Sequence, residues 1–391
     1  MPVGLGLEEP EDLEQLGMQK VREGKVKDGL KLILRAARGY EEAGRKKEAA
    51  RLYRYLGYFL LKKTGAIEKA RPSLLKSAYL YVDLIEREIS RPEVDLDVLD
   101  EYCFNVLEVF ATTNDRRNLV KYAEEFASIY EDLGDSYQEN DDIPMAIRAY
   151  ESAYWYYRLV DNIEGYKKLA ETIITLYGQV AEEKLEKGDT ENAAVAFYRL
   201  ATYIKAIFGY DIHFIEMMDT AAKNFEKASK IAYSEGDLDR TTTYLVRAQY
   251  AYLLAKNFNR AKLIGLNTVR MLYQVISSYR GRGDEERAAE KLMEISEALI
   301  GMGKFEDAIE TYKGALDYTG QLPFRVRIRL AVLKKLAASN TSSEVLDDVE
   351  HVEYYLRKGK YGKALELAEK AMKREELRKM LKSIHEAEGI Y

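Results

Sequence analysis

Residues 130–153 read YEDLGDSYQENDDIPMAIRAYESA. Tyr130, Leu133 and Tyr137 recur at offsets of three and four, which places them on one face of a helix. Ala146, Tyr150 and Ala153 do the same after a polar break. Asp141 stands where the first helix would end in a left-handed residue, and Ala146 follows five residues later. A small side chain there lets two antiparallel helices approach closely; a larger one would force them apart. The stretch predicts a helix, a tight turn and a second helix packed back on the first.

The same phrase recurs along the chain. Gly44 precedes Ala49, Gly65 precedes Ala70, and Gly188 precedes Ala193, each by five residues. Gly283 before Ala288, Gly303 before Ala308 and Gly359 before Ala364 repeat it. Gly24 before Gly29, Gly236 before Thr241 and Lys256 before Ala261 read as degraded copies. Spacings of 20 and 21 residues (Gly24 to Gly44, Gly44 to Gly65) and of 47 and 48 (Asp141 to Gly188, Gly188 to Gly236) imply hairpins of roughly 40–48 residues. Individual helices would then run about 16–22 residues, roughly 25–33 Å.

These residues resemble the tetratricopeptide repeat. The best copy is Tyr130, Leu133, Gly134, Tyr137, Asp141, Ile143, Ala146, Tyr150 and Ala153. A second is Leu292, Ile295, Gly303, Phe305, Ala308, Tyr312 and Ala315; a third is Tyr355, Gly359, Tyr361, Ala364, Ala368 and Ala371. The family's closing Pro is absent from all three, and the period exceeds the family's 34 residues. The long Tyr- and Ala-rich helices look like the SNAP adaptor variety. The resemblance implies an all-α, right-handed, TPR-like solenoid of about 16–18 antiparallel helices that grips protein partners. The expected layout is a flexible start at 1–8, a solenoid over 9–338, and C-terminal helical units over 339–391 after the polar stretch SNTSS. A second break falls at 90–95, where Asp95 reads as an N-cap, and a smaller one at Gly320 to Pro323.

Chemistry is sparse. The 391 residues hold 1 Cys and 3 His, which excludes a disulfide framework and a Cys-based metal site. Gly24 to Gly29 has phosphate-loop spacing but Leu30 where Lys is needed. Asp95, Asp97 and Asp100 read as an acidic first helical turn rather than a metal cluster. Cys103 reads as a core residue, and His213 as packed or exposed. Trp155, within Ala153–Tyr157, fits either core packing or an aromatic groove, with packing favoured. The many Tyr suit positions where the ring packs and the hydroxyl reaches the rim. The expectation is no enzyme, no cofactor and no metal.

Charge carries more information. The net charge of -6 conceals a block at 20–71 with 16 bases and 6 acids, beside a block at 72–189 with 12 bases and 26 acids. Lys27, Lys31, Arg35 and Arg38 form one helical stripe; Lys47, Arg51, Arg54 and Lys62 form another on the next helix. Such ridges neutralise phosphates, or answer the neighbouring acidic block within the chain, or attract a second copy as a homodimer. The favoured partner is a ribosomal subunit, through rRNA and ribosomal proteins. The chain looks compatible with the TPR-type archaeal factors that pair small subunits in hibernation. The alternative is another protein complex, gripped by an adaptor without RNA contact. No leader-like start and no apolar run of about 18 residues are evident, so a cytoplasmic protein without membrane insertion is expected. The wealth of Glu, Lys and Arg has a thermophile-like cast.

Overall fold

The computed structural model describes residues 9–315, apart from positions 210, 303, 305, 306, 309 and 312. The expectations placed on 1–8, on Gly303, Phe305 and Tyr312, on Gly320 to Pro323 and on 339–391 lie outside the described residues. Among the described residues there are thirteen complete helices and no strand. They are α1 (Pro10–Arg22), α2 (Val26–Glu42), α3 (Lys46–Thr64), α4 (Ile67–Ile89), α5 (Leu96–Thr112), α6 (Arg116–Glu139) and α7 (Ile143–Leu159). Then follow α8 (Ile163–Glu186), α9 (Thr190–Phe208), α10 (Ile212–Ser234), α11 (Leu238–Leu254), α12 (Phe258–Gly281) and α13 (Glu285–Gly301). The chain divides into two compact units with the boundary between Leu169 and Ala170, inside α8.

In each unit, successive helices pack against one another as antiparallel neighbours. This is the expected all-α, TPR-like arrangement of stacked helical hairpins. Its turns are those the sequence marked. Gly24, Gly44, Gly65, Asp141, Gly188, Gly236, Lys256 and Gly283 all have positive φ. The residues five positions later are buried without exception: Gly29, Ala49, Ala70, Ala146, Ala193, Thr241, Ala261 and Ala288. Three further left-handed turns, Asn114, Asp161 and Gly209, carry Leu119, Tyr166 and Phe214 at that position instead of a small residue.

From Asn114 onward the period is regular. The turns pair off at 47 residues: Asn114 with Asp161, Asp141 with Gly188, Gly209 with Lys256, and Gly236 with Gly283. The period comprises a short helix of 17 or 19 residues (α7, α9, α11, α13) and a long one of 23 or 24 (α6, α8, α10, α12). An Asx side chain follows the left-handed residue and caps the next helix. Asp142 Oδ1 accepts from the Met145 amide at 3.3 Å, Asp189 from Asn192 at 3.2 Å, and Asp237 from Arg240 at 2.9 Å. Asp95 caps α5 as expected, accepting from the Asp97 and Val98 amides.

A close approach explains the glycine in the Gly24–Gly29 copy. A Cβ on Gly29 would lie 2.7 Å from the Gly17 carbonyl oxygen, so α1 and α2 cross closer than Ala would allow. A Cβ on Gly134 would lie 2.5 Å from the Tyr150 ring. Tyr150 fills the groove that Gly134 leaves, and its hydroxyl donates to Asp135 Oδ1 at 2.6 Å.

Four further tyrosines show a related pattern. In Tyr40, Tyr130 and Tyr252 the ring is buried, in Tyr157 it is half-buried, and in all four the hydroxyl reaches a carboxylate on a packed helix: Tyr40 to Glu14, Tyr130 to Asp100, Tyr157 to Glu131, and Tyr252 to Glu226. Each ring contributes apolar burial while its polar atom stays satisfied. Burial, reinforced by Glu14, pushes the Tyr40 hydroxyl up to about 12, so it remains a donor at any physiological pH.

Candidate interaction surface

The first unit arranges its helices in two rows. Odd-numbered helices are tied to odd-numbered ones by side chains about 35–54 residues apart. Arg51 Nη2 lies 2.6 Å from Glu14 Oε1, joining α3 to α1. Lys47 reaches Glu101 at 3.1 Å and Arg54 binds Glu108, joining α3 to α5. Tyr58 and Thr112 share a hydrogen bond at 3.3 Å in the same register. Arg148 on α7 binds Asp97 and Asp100 on α5. Even-numbered helices are tied likewise: Lys76 on α4 to Glu41 on α2 at 2.6 Å, and Lys168 on α8 to Glu131 on α6.

The eight cations expected to form a binding ridge therefore fall in two sets. Lys47, Arg51 and Arg54 stand on the odd row and face carboxylates. Lys47 also lies 5.3 Å from the Tyr102 ring, and Arg54 5.3 Å from the Tyr58 ring. Hydrogen bonding to Glu101 holds the Lys47 ammonium above its usual range. Lys62 is exposed in the last turn of α3, where a cation suits the helix dipole. Lys27, Lys31, Arg35 and Arg38 line the exposed edge of α2, opposite the buried Ile33, Ala36 and Ala37. Lys27, Lys31 and Arg38 make no ion pair among the described residues.

The odd row consequently alternates in sign: acidic α1, basic α3, acidic α5, basic α7. Each pair is partly exposed, and a single such pair contributes about 0–1 kcal/mol. Together they neutralise the face and fix the register between hairpins. Two of the side chains left in water are aromatic. Phe104 is 61% exposed and Trp155 is 38% exposed. Phe104 shares a stripe with Glu101 and Glu108, and Trp155 lies two turns beyond Arg148. The two rings are 51 residues apart, as are Asp97 and Arg148, so they occupy matching positions on adjacent parallel helices. The Arg158 guanidinium sits 5.4 Å from the Trp155 ring.

Trp155 corrects the packing expectation. Tyr154 takes the buried position, and one residue onward along a helix turns the side chain out by about 100°. Phe104 was not singled out by the sequence. The signal was present: an aromatic between two acids, out of phase with buried Cys103 and Val106. Burial pushes the Cys103 thiol well up, which keeps it protonated and inert. Asp97 and Asp100 are engaged by Arg148, and His213 is exposed, 4.0 Å from Glu216. Among the described residues no group of His, Cys, Asp and Glu could hold a metal. No helix of the described residues is long and apolar enough to cross a membrane.

No family model matches the chain, and no curated protein matches its sequence. Several solved structures share its helical texture. BtubC (BKLC) from P. vanneervenii is 14% identical over 65% of this chain and 94% of its own, with a TM-score of 0.37. The apo form of RapI is 14% identical over 86% of this chain and 99% of its own, with a TM-score of 0.34. The P58(IPK) TPR domain is 13% identical over 97% and 99%, with a TM-score of 0.17. At this level of likeness the fold assignment rests on the chain's own turns and helix pairs.

Proposed function

We propose that this chain is a non-catalytic cytoplasmic scaffold that holds a protein partner against the odd-numbered helices of its first unit. The supporting observation is the Phe104–Trp155 pair: two exposed aromatic rings in register on a face where Lys47, Arg51, Arg54 and Arg148 are paired with carboxylates. Aromatic side chains on a rigid, neutralised surface are the usual anchors of protein–protein binding. Stacked hairpins present such faces without needing a catalytic group. The test is affinity purification from the native cell, with and without nuclease. A protein retained after nuclease and lost from the Phe104→Ala/Trp155→Ala double variant supports the reading. Equal retention by the double variant sinks it.

A second reading rests on α2. The exposed stripe Lys27, Lys31, Arg35 and Arg38 supports docking onto a ribosomal subunit, in the manner of a small-subunit dimerisation or hibernation factor. Here the stripe would meet rRNA phosphates, with affinity falling steeply with salt, by a slope of about 0.7–0.9 per phosphate neutralised. Co-sedimentation with subunits at moderate salt, abolished by Lys31→Glu/Arg35→Glu, is the expected result. Absence of co-sedimentation ends this reading and leaves the adaptor reading untouched.

A further inference from the structure

Helix α12 is apolar on two sides. Ile264, Leu272, Val275 and Ile276 are buried on the inner side. On the other side Leu263, Leu266 and Tyr273 are 48%, 48% and 54% exposed. Their offsets of three and seven place them on one stripe, with exposed Arg270 between. A helix apolar on both sides is ordinarily covered on both.

The frame around this stripe is cationic. The 24 residues of α12 include Arg260, Lys262, Arg270 and Arg280 and no Asp or Glu. α10 runs alongside, held in register by the Arg260–Glu226 ion pair and by Asn257 Nδ2 donating to Asp219 Oδ1 at 3.2 Å. That register sets exposed Lys227 and Lys230 beside Leu263 and Leu266, with exposed Tyr233 further along. The one carboxylate in the second half of α10, Glu226, is buried and bound by Arg260 and Tyr252. Lys227 and Lys230 make no ion pair among the described residues. Thus an apolar row is lined on both sides by positive charge, with no accessible acid on either helix along it.

We propose that the valley between α10 and α12 takes an acidic amphipathic helix of a partner protein. Its apolar side would meet Leu263, Leu266 and Tyr273. Its carboxylates would meet Lys227, Lys230, Lys262 and Arg270. The row from Leu263 to Tyr273 spans roughly 15 Å, about three helical turns, which matches anchors at i, i+3, i+7 and i+10. Two parallel rods bound a channel that one more helix fills, at an interaxial distance of about 8–10 Å. Ile231 on α10 and Phe258 on α12 are exposed as well, and the vesicle arm of the test below separates a helix from a lipid surface. This surface lies in the second unit and goes beyond the scaffold reading of the first.

The test uses the full chain and a fluorescent synthetic helical peptide with Leu at i, i+3, i+7 and i+10 and Glu on both flanks. Fluorescence anisotropy should show micromolar binding, and a peptide with Lys in place of Glu should not bind. Leu266→Asp, and separately Lys227→Glu/Lys230→Glu, should each weaken binding by at least about tenfold. All three positions are exposed, so the melting temperature should not move. Phe104→Ala/Trp155→Ala should leave peptide binding unchanged, which separates this proposal from the scaffold reading. No binding at ~0.2 mM peptide, or equal binding by Leu266→Asp, overturns it. Flotation with phosphatidylserine–phosphatidylcholine vesicles without peptide binding overturns it in favour of a membrane surface.

Discussion

Gly29 sits where α1 and α2 approach most closely, and its partner in that approach is Gly17. Adding one methyl group would drive it to 2.6 Å from Val21 Cγ2 and 2.7 Å from a backbone oxygen that cannot rotate away. Gly29→Ala should therefore destabilise the first hairpin by about 1–3 kcal/mol, despite the better helix propensity of Ala. Urea denaturation checks this, and a gain in stability would show that the helices can separate without cost. Glu226 is a different kind of residue, a buried carboxylate holding two donors, Arg260 and Tyr252. Glu226→Ala leaves both without their acceptor and should cost about 2–3 kcal/mol. Burial alone would raise its pKa; Arg260 and Tyr252 outweigh that and hold the carboxyl below its usual range. A carboxyl depressed in the folded state contributes stability above its unfolded pKa and loses it as pH falls through the folded value. Melting temperatures should thus drop for the native chain below about pH 4, and Glu226→Gln should show a shallower drop. Burial pushes Glu294 the other way, up, against the pull of Lys291, so the comparison must be between variant and native chain. Parallel curves would show that Glu226 does not carry the effect.

At the scale of the element, the turn decides. A left-handed residue ends one helix, and the next residue, when it is Asp or Asn, starts another by capping it. The first three turns lack that device: Lys25, Arg45 and Ala66 make no side-chain cap. Asp142→Ala should cost about 1 kcal/mol and appear as faster amide exchange in the first turn of α7. Lys25→Ala should change stability by less than about 0.5 kcal/mol. If the two behaved alike, the caps would be ornamental. Of the ten turns marked in the sequence, the eight among the described residues were legible because a small residue five positions on repeats the packing requirement. Asn114, Asp161 and Gly209 were not, since Leu119, Tyr166 and Phe214 stand there. At those turns the Asx caps at Asp115 and Asn162 and the Asp211 cap after Gly209 were the readable signal.

At the scale of the whole molecule, helices touch chiefly their neighbours in the chain and the next hairpin. Stability in such arrays is a sum of local terms and neighbour interfaces. Gly29→Ala should therefore release amides in α1–α3 to exchange while those in α10 and α11 keep their protection. Uniform loss across both would reveal a single cooperative block. The amino-acid sequence by itself determined the helix-turn-helix repeat, because each turn and close approach is a local demand on one or two residues. It also determined the opposite charge of the blocks at 20–71 and 72–189. Only the tertiary structure decided what those charges do. Arg51, Lys47 and Arg54 meet Glu14, Glu101 and Glu108, 37 and 54 residues away in the chain. It likewise decided which apolar residues stay in water, Phe104 and Trp155 in one unit, Leu263 and Leu266 in the other. Register between helices depends on packing across hairpins, and no period within a single helix encodes it.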